Sequence, residues 1–87
     1  MTLGRVVIRA GKSNPPHLHA NCDEVLLLMA GQLTHWIGRK VYRMGPGDAL
    51  VIPRRAVHHA RATGRVDAVM IVAYNSGRRA FRLSTRK

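Results

Sequence analysis

Short runs of alternating apolar and polar residues, interrupted by glycine and proline, recur along the chain. Within residues 3–10, Val6 and Ile8 share one face while both arginines lie on the other, which is the two-residue period of a β-strand. No segment shows the period of an amphipathic helix. Turn residues recur at intervals of roughly 8–12 residues, a spacing typical of all-β sandwiches and barrels. The pattern therefore predicts an all-β domain.

Glycine and proline mark the ends of the predicted strands. Pro15 and Pro16 exclude helix from the loop at residues 11–16, because proline lacks the backbone N–H that a helix needs. Residues 45–48, Gly-Pro-Gly-Asp, predict a tight turn. The predicted strands are residues 3–10, 24–30, 32–37, 40–44, 49–52, 57–62, 66–74 and 79–83.

Two of these strands depart from the alternating pattern. Residues 25–29 and 68–73 are apolar at every position, as expected for strands that are covered on both faces. A small barrel buries only its inner face. The outer face would otherwise be a large exposed apolar patch, so the pattern predicts a homodimer in which a second copy covers it.

The length of 87 residues indicates a single domain. A domain of this size buries only about 60–65% of its unfolded surface, so metal binding or oligomerisation would add stability. Nothing in the sequence resembles a signal peptide or a membrane span. One cysteine allows no internal disulfide. We expect a cytoplasmic protein that does not associate with membranes.

Basic residues dominate the charge. Fifteen Lys and Arg face four Asp and Glu, which gives a net charge of +11 and a pI near 11.7. Such a charge attracts anionic ligands or nucleic acid. The arginines are spread along the chain, however, and the sequence lacks the interleaved basic and aromatic residues of single-strand binders. We expect a small-molecule ligand and not nucleic acid.

A histidine pair followed by a glutamate is the main candidate for chemistry. His17 and His19 are two residues apart, so on extended backbone both imidazoles point to the same side. Glu24 opens the next predicted strand and can bring a carboxylate to the same point. Neutral imidazole with carboxylate suits Mn, Fe, Co, Ni, Cu or Zn. No Ser/His/Asp arrangement is available, so one divalent transition metal would carry any chemistry.

The glycines around these residues complete a motif of the cupin family, which this chain closely resembles. The first cupin motif runs glycine, five residues, His-x-His, three or four residues, glutamate, six residues, glycine. Every position is matched here, by Gly11, His17, His19, Glu24 and Gly31.

The second cupin motif is present in a degraded form. Gly47, Pro53 and His58 stand at the expected spacing, but Arg55 replaces a glycine and Ala62 replaces an asparagine. The fifteen residues between the two motifs equal the family's shortest spacer. If the turn at Arg55 requires a positive φ, the arginine strains it.

The resemblance implies a double-stranded β-helix, or jelly roll, over residues 1–87, with a metal at its mouth. The implied metal ligands are His17, His19, Glu24 and His58. His59 competes with His58, because neighbours on a strand point to opposite faces, and the spacing from Pro53 favours His58.

Several other side chains have two interpretations. His35 and Trp36 are neighbours on one strand, so one of them lines the interior and the other faces outward. Cys22 is either a small buried hydrophobe or a group near the metal. Arg54 and Arg55 either steer an anionic substrate or belong to a solvated turn.

The fold alone does not fix a function. The resemblance implies a small metal-dependent enzyme of dioxygenase or isomerase type, acting on a small oxygen-rich or anionic molecule. The alternative is a non-enzymatic module that binds or senses a metal or a small ligand. The sequence assigns no catalytic side chain beyond the metal ligands.

Overall fold

A computed structural model describes residues 1–18 and 21–75, together with the backbone of residues 82–83. The regular structure in these segments is entirely β-strand. None of the described segments forms a helix with the length and hydropathy needed to cross a membrane. The strands are β1 (Thr2–Ile8), β2 (His17–Leu18), β3 (Glu24–Ala30), β4 (Leu33–Ile37), β5 (Lys40–Met44), β6 (Ala49–Ile52), β7 (His58–Ala62), β8 (Ala68–Tyr74) and β9 (Arg82–Leu83).

The strands form two antiparallel sheets. One sheet has four strands in the order β1-β8-β3-β6, and the other has five in the order β5-β4-β7-β2-β9. The chain changes sheet at nearly every connection, with the β4–β5 hairpin as the exception. This alternation is the double-stranded β-helix, so the predicted all-β jelly roll is confirmed.

The apolar core lies between the sheets and follows the strand alternation. In β8, the four residues from Ala68 to Tyr74 that point inward are buried, and those between them are half-buried. On the neighbouring strand β3, Leu26 and Leu28 also point inward and are buried. Burial of a leucine or valine side chain contributes about 1.5–3 kcal/mol. This layer therefore provides much of the stability.

The other side of the four-stranded sheet is also apolar. We call it the apolar outer face. Its exposed large side chains are Leu3 and Val7 of β1, Val25, Leu27 and Met29 of β3, and Val51 of β6. Among the described residues, Arg5 supplies the one charge on this face, opposite Ile71 in the strand register. The apolar outer face is thus a surface on which another protein chain could pack.

Gly31, the last glycine of the first motif, lies where no other residue fits. Its φ is +83°, and a Cβ placed on it would lie 2.5 Å from the carbonyl oxygen of Asp67. The backbone therefore passes directly against the start of β8. This explains the need for glycine at the turn between β3 and β4.

The strand boundaries differ from the predicted ones in a few places. β8 begins at Ala68 and not at residue 66, because a bend precedes it and the Asp67 carboxylate accepts a hydrogen bond from the Ala10 backbone N–H at 2.9 Å. β2 was not predicted, since its two residues are too few to show a period. Of the predicted strand 79–83, the backbone of Arg82–Leu83 forms β9, and the rest lies outside the described residues.

Candidate metal centre

Two candidate ligands meet across neighbouring strands of the five-stranded sheet. His17 of β2 and His58 of β7 are Cα partners in the register, and their ring centroids are 4.1 Å apart. Both side chains are buried. Glu24 begins β3 in the opposite sheet, and its Oε1 lies 3.9 Å from His58 Nε2. Two imidazoles and a carboxylate from the two sheets therefore gather in the interior.

The loop that delivers His17 is tied to β7. Asn14 donates its backbone N–H to the Ala60 carbonyl at 3.1 Å, and its Oδ1 accepts the Ala60 N–H at 2.7 Å. Further along, Ala62 exchanges backbone hydrogen bonds with Gly11 and Lys12, each below 3.0 Å. The loop thus runs alongside β7, the strand that carries His58, and extends the hydrogen bonding of that part of the sheet.

The ring orientation of His17 is set by a carbonyl. Its Nδ1 lies 2.8 Å from the Pro15 carbonyl oxygen, which can only accept. The proton of the neutral ring is therefore on Nδ1, and Nε2 carries the lone pair. This is the tautomer that a metal-binding histidine usually adopts.

Strand alternation separates His58 from His59. His58 is 2% exposed and lines the interior, whereas His59 is half-buried on the outer side of the sheet. There the His59 ring stacks on Trp36, with centroids 4.6 Å apart and planes 7° from parallel. The structure therefore places His58, and not His59, beside Glu24.

His35 is the inward residue of the His35–Trp36 pair. It is 2% exposed, and its Nε2 lies 3.2 Å from His58 Nδ1. Burial, together with the nearby charges of His17 and His59, lowers the pKa of His35 to about 4. The ring is therefore neutral near pH 7.

A cavity of about 180 Å³ lies between the sheets at this point. Half of its twelve described lining residues are apolar, and no arginine or lysine is among them. It is lined by Val6, Asn14, Pro15, His17, Glu24, Leu26, His35, His58, Ala60, Met70, Val72 and Tyr74. Its size suits a small molecule, and polar recognition depends on the histidines, Glu24, Asn14 and Tyr74.

Arg54 does not point into this cavity. Its Nε lies 3.2 Å from Asp23 Oδ1, and its backbone N–H donates to the same oxygen at 2.8 Å. The side-chain hydrogen bond lowers the pKa of the Asp23 carboxyl and raises the pKa of Arg54. Asn75 also donates to Asp23, at 3.2 Å. This pair fixes the loop before β7, which favours a structural role over substrate steering.

Arg55 adopts the left-handed backbone conformation expected of the glycine it replaces. Its φ is +66°, and it is the one non-glycine residue with a positive φ in the described chain. The Ala56 N–H bonds to the Pro53 carbonyl at 3.2 Å, which closes the turn. The turn therefore requires a positive φ at this position, and the arginine carries the strain.

Cys22 belongs to the core. It is 1% exposed and packs with the buried apolar side chains between the sheets. It is absent from the cavity lining. The structure thus supports the interpretation of Cys22 as a small buried hydrophobe.

The donors are of the type that a divalent transition metal binds. Two metal–ligand bonds of about 2.1 Å each can span up to about 4.2 Å, so the 3.9 Å between His58 Nε2 and Glu24 Oε1 is within reach of one ion. His19, the fourth predicted ligand, lies outside the described residues. Within residues 1–18 and 21–75, no group of three or more His, Cys, Asp or Glu side chains is close enough together to hold a metal.

The fold agrees with the comparison to known proteins. The family model of the cupin domain, Cupin_2, matches residues 4–74. The chain therefore belongs to the cupin family.

Its similar proteins include oxalate oxidases and germin-like proteins. It is 33% identical to Oxalate oxidase 1 of Hordeum vulgare over 84 residues, covering 87% of this chain and 42% of that protein. It is 32% identical to Germin-like protein 3-5 of Oryza sativa subsp. japonica, covering 87% of this chain and 37% of that one. A solved structure of recombinant oxalate oxidase in complex with glycolate superimposes with a TM-score of 0.84 at 31% identity, covering 93% of this chain and 44% of that chain. The chain thus spans less than half the length of these relatives.

The site contains one contact that the sequence did not predict. The histidine motif identified His17, Glu24 and His58, but it gave no sign that His35 would bond to His58. Strand parity did predict that either His35 or Trp36 would face inward. Only the cross-strand pairing of β4 with β7 decides which one does.

Proposed function

We propose that this chain is a metal-dependent cupin enzyme acting on a small oxygen-rich or anionic molecule. In the proposal, one divalent transition metal is held by His17, His19, Glu24 and His58. The observation that supports it most is the convergence of a buried carboxylate with two buried imidazoles on a small cavity. The similarity to oxalate oxidase adds an oxidase reaction to the candidates.

The described cavity wall limits the substrate. A volume of about 180 Å³ admits only a small molecule. Since no arginine or lysine lines the described wall, an anionic substrate would find its positive charge at the metal. When bound, the metal would act as a Lewis acid and as the place where substrate and dioxygen meet. Val6, Leu26, Met70 and Val72 would keep bulk water away, which strengthens electrostatic interactions inside.

The polar wall residues would orient the substrate. Asn14 accepts the Ala60 N–H through Oδ1, which directs its amide N–H groups toward other acceptors. Tyr74 lines the cavity at the end of β8. These groups can hold an oxygen-rich molecule by hydrogen bonds. No general acid or base is assigned.

A non-enzymatic binding or sensing module is the second candidate. It is favoured by the sparse chemistry of the cavity, in which Glu24 is the one carboxylate among the described lining residues. Such a module would bind metal and small ligand without turnover.

We also propose that the protein is a homodimer. The apolar outer face carries six exposed large apolar side chains and one described charge, whereas the chain as a whole has a net charge of +11. Soluble monomers rarely leave such a patch uncovered. A second copy offers the same apolar surface, and a two-fold axis would pair the two faces. The cytoplasmic location stays a prediction, supported by the single cysteine.

Metal analysis followed by turnover tests the proposal. Protein purified without chelator or nickel resin is analysed for bound metal, then reconstituted in parallel with Fe(II), Mn(II), Ni(II) or Cu(II). Oxygen uptake is measured with oxalate, glycolate and a panel of small dicarbonyl and phenolic compounds. We expect about one metal per chain and turnover of at least one compound.

Two variants serve as controls. Glu24→Gln keeps the shape of the side chain but removes the charge, and it should lose both metal and turnover. His59→Phe changes a histidine on the outer side and should keep both. Metal binding with no turnover of any compound would favour the sensing module. Wild-type protein that binds none of the metals would exclude the proposed centre.

A further inference from the structure

A third histidine, outside both cupin motifs, contacts the candidate ligand His58. His35 lies on β4 with Leu33 and Ile37 as its inward neighbours. Its ring lies nearly parallel to that of His58, with planes 13° apart and centroids 5.3 Å apart. The nitrogens His35 Nε2 and His58 Nδ1 are 3.2 Å apart, and both residues are 2% exposed. A polar side chain in such a position is costly unless it is paired.

The hydrogen bond between two neutral imidazoles admits two arrangements. Either His58 carries its proton on Nδ1 and donates to His35, or His35 carries its proton on Nε2 and donates to His58. In the second arrangement the proton of His58 is on Nε2, the atom that faces Glu24. That proton would occupy the position of a metal ion.

We propose that His35 is a positioning residue, which accepts the Nδ1 proton of His58 and thereby leaves the Nε2 lone pair of His58 for the metal. This inference rests on the proposed metal centre. A metal-binding histidine usually donates its other N–H to a carboxylate, a backbone carbonyl or water. Here the acceptor is a neutral imidazole, supplied by the neighbouring strand.

The two described histidine ligands are therefore held in different ways. The Pro15 carbonyl can only accept, so it allows His17 a single neutral tautomer. His35 can either accept from His58 or donate to it. The His58 tautomer consequently depends on the tautomer of His35. In the metal-competent state the His35 proton is on Nδ1, an atom that has no hydrogen-bond partner among the described residues.

Substitutions at residue 35 separate this role from packing. His35→Phe keeps a ring but removes the acceptor, whereas His35→Gln retains an acceptor oxygen at a similar reach. Zinc affinity is measured by competition with a chromophoric chelator. Loss of such a supporting partner weakens metal affinity about 10–100-fold. We expect that loss for His35→Phe, a near-wild-type affinity for His35→Gln, and no change for the control His59→Phe on the outer side of the five-stranded sheet.

Nuclear magnetic resonance on the folded wild type gives a readout that does not depend on any variant. The protein is labelled with ¹⁵N-histidine and loaded with diamagnetic Zn(II). We expect a slowly exchanging proton on His58 Nδ1 and a scalar coupling across the hydrogen bond to His35 Nε2. A proton on His35 Nε2, or the absence of the coupling, would overturn the assignment.

The outcomes distinguish this inference from the proposed function. If wild type and His35→Phe bind zinc equally while both fold, by circular dichroism and by melting of the metal-free forms, the role of His35 is wrong and the metal centre stands. If His35→Gln is as weak as His35→Phe, the acceptor is not the cause and the inference also fails. If wild type binds no metal, the proposed centre itself fails, and the inference with it.

Discussion

The two sheets face the same interior, yet their outer sides differ in the balance of apolar and charged side chains. The five-stranded sheet shows charged and polar side chains to the outside, among them Arg43, Arg61 and His59. The four-stranded sheet shows exposed leucine, valine and methionine there, with Arg5 as the described charge. The inner sides differ too. His17, His35 and His58 all lie on the five-stranded sheet, while the four-stranded sheet contributes Glu24 and most of the apolar wall.

In the proposed function, the five-stranded sheet would supply most of the metal ligands and the four-stranded sheet most of the apolar contact. A strand with apolar residues on both sides cannot also carry exposed charge, and a strand with buried histidines gives up apolar burial. In an 87-residue domain the two demands compete for few positions. Four experiments probe the division: first each sheet by itself, then the connections between them.

Removing the metal should have the largest effect. A metal that binds only the folded state stabilises it by about 4 kcal/mol at a thousandfold excess over its Kd. We expect chelator to lower the melting temperature of the wild type, and His17→Ala to melt like the chelated protein whether or not metal is added. Calorimetry with and without chelator measures both. Equal melting curves for metal-loaded and chelated wild type would mean that the five-stranded sheet needs no metal for stability.

A charge on the apolar outer face should separate the dimer. Leu27→Glu would leave an unpaired carboxylate in the proposed interface, at a cost on the order of 3 kcal/mol, or about a hundredfold in Kd. Val41→Glu is the matched control, since Val41 is a 51% exposed valine on the outer side of the five-stranded sheet. Light scattering at low micromolar concentration should give twice 9.7 kDa for wild type and for Val41→Glu, and 9.7 kDa for Leu27→Glu. A monomeric wild type at both low and high salt would contradict the assignment of this face.

Relief of strain at the connection from β6 to β7 should have a smaller effect of opposite sign. A left-handed backbone costs a non-glycine residue about 1–2 kcal/mol, part of which is offset by the greater freedom of unfolded glycine. Arg55→Gly should therefore stabilise the protein by about 1 kcal/mol in urea unfolding. Arg65→Gly, at a residue without positive φ, should not stabilise it. Equal effects of the two changes would show that loss of positive charge, and not backbone strain, is responsible.

The Asp23–Arg54 pair, on two connections between the sheets, should have the smallest effect. Hydrogen bonds from Arg54 lower the pKa of Asp23 below its ordinary 3.8. The carboxylate therefore stabilises the fold above pH 3.8, and this contribution is lost as the pH falls through the lowered value. Asp23→Asn should be slightly less stable than wild type at pH 7, and the difference should vanish in acid. A difference that is independent of pH would assign the effect to packing.

Much of the fold was readable from the sequence because its determinants are local. Apolar alternation and turn residues indicated the long strands to within about two residues, the usual uncertainty of element ends. The first motif also placed His17 and Glu24 correctly in the interior. Gly31 could be recognised as a motif glycine, although its contact with Asp67 could not.

What could not be predicted depends on pairing between distant strands. The inward side of β4 follows from its register with β7, so neither the burial of His35 nor its bond to His58 was accessible. The two-residue β2 is defined by its partners and not by its own pattern. The sequence left substrate steering open for Arg54, because its partner Asp23 is thirty-one residues away and no local pattern indicates their contact.

The ties between the residue 11–14 loop and β7 have a consequence for ligand exchange. Through Gly11, Lys12 and Asn14, the segment leading to His17 is fastened to Ala60 and Ala62, on the strand that begins with His58. These hydrogen bonds hold together the backbone that carries the two imidazoles, so the cost of bringing them close is already met on folding. A metal that reaches them needs to order little further backbone, so its entropy of binding should be set mainly by the release of water. Exchange of the ion should then be limited by the motion of the Glu24 side chain, which lies on the opposite sheet.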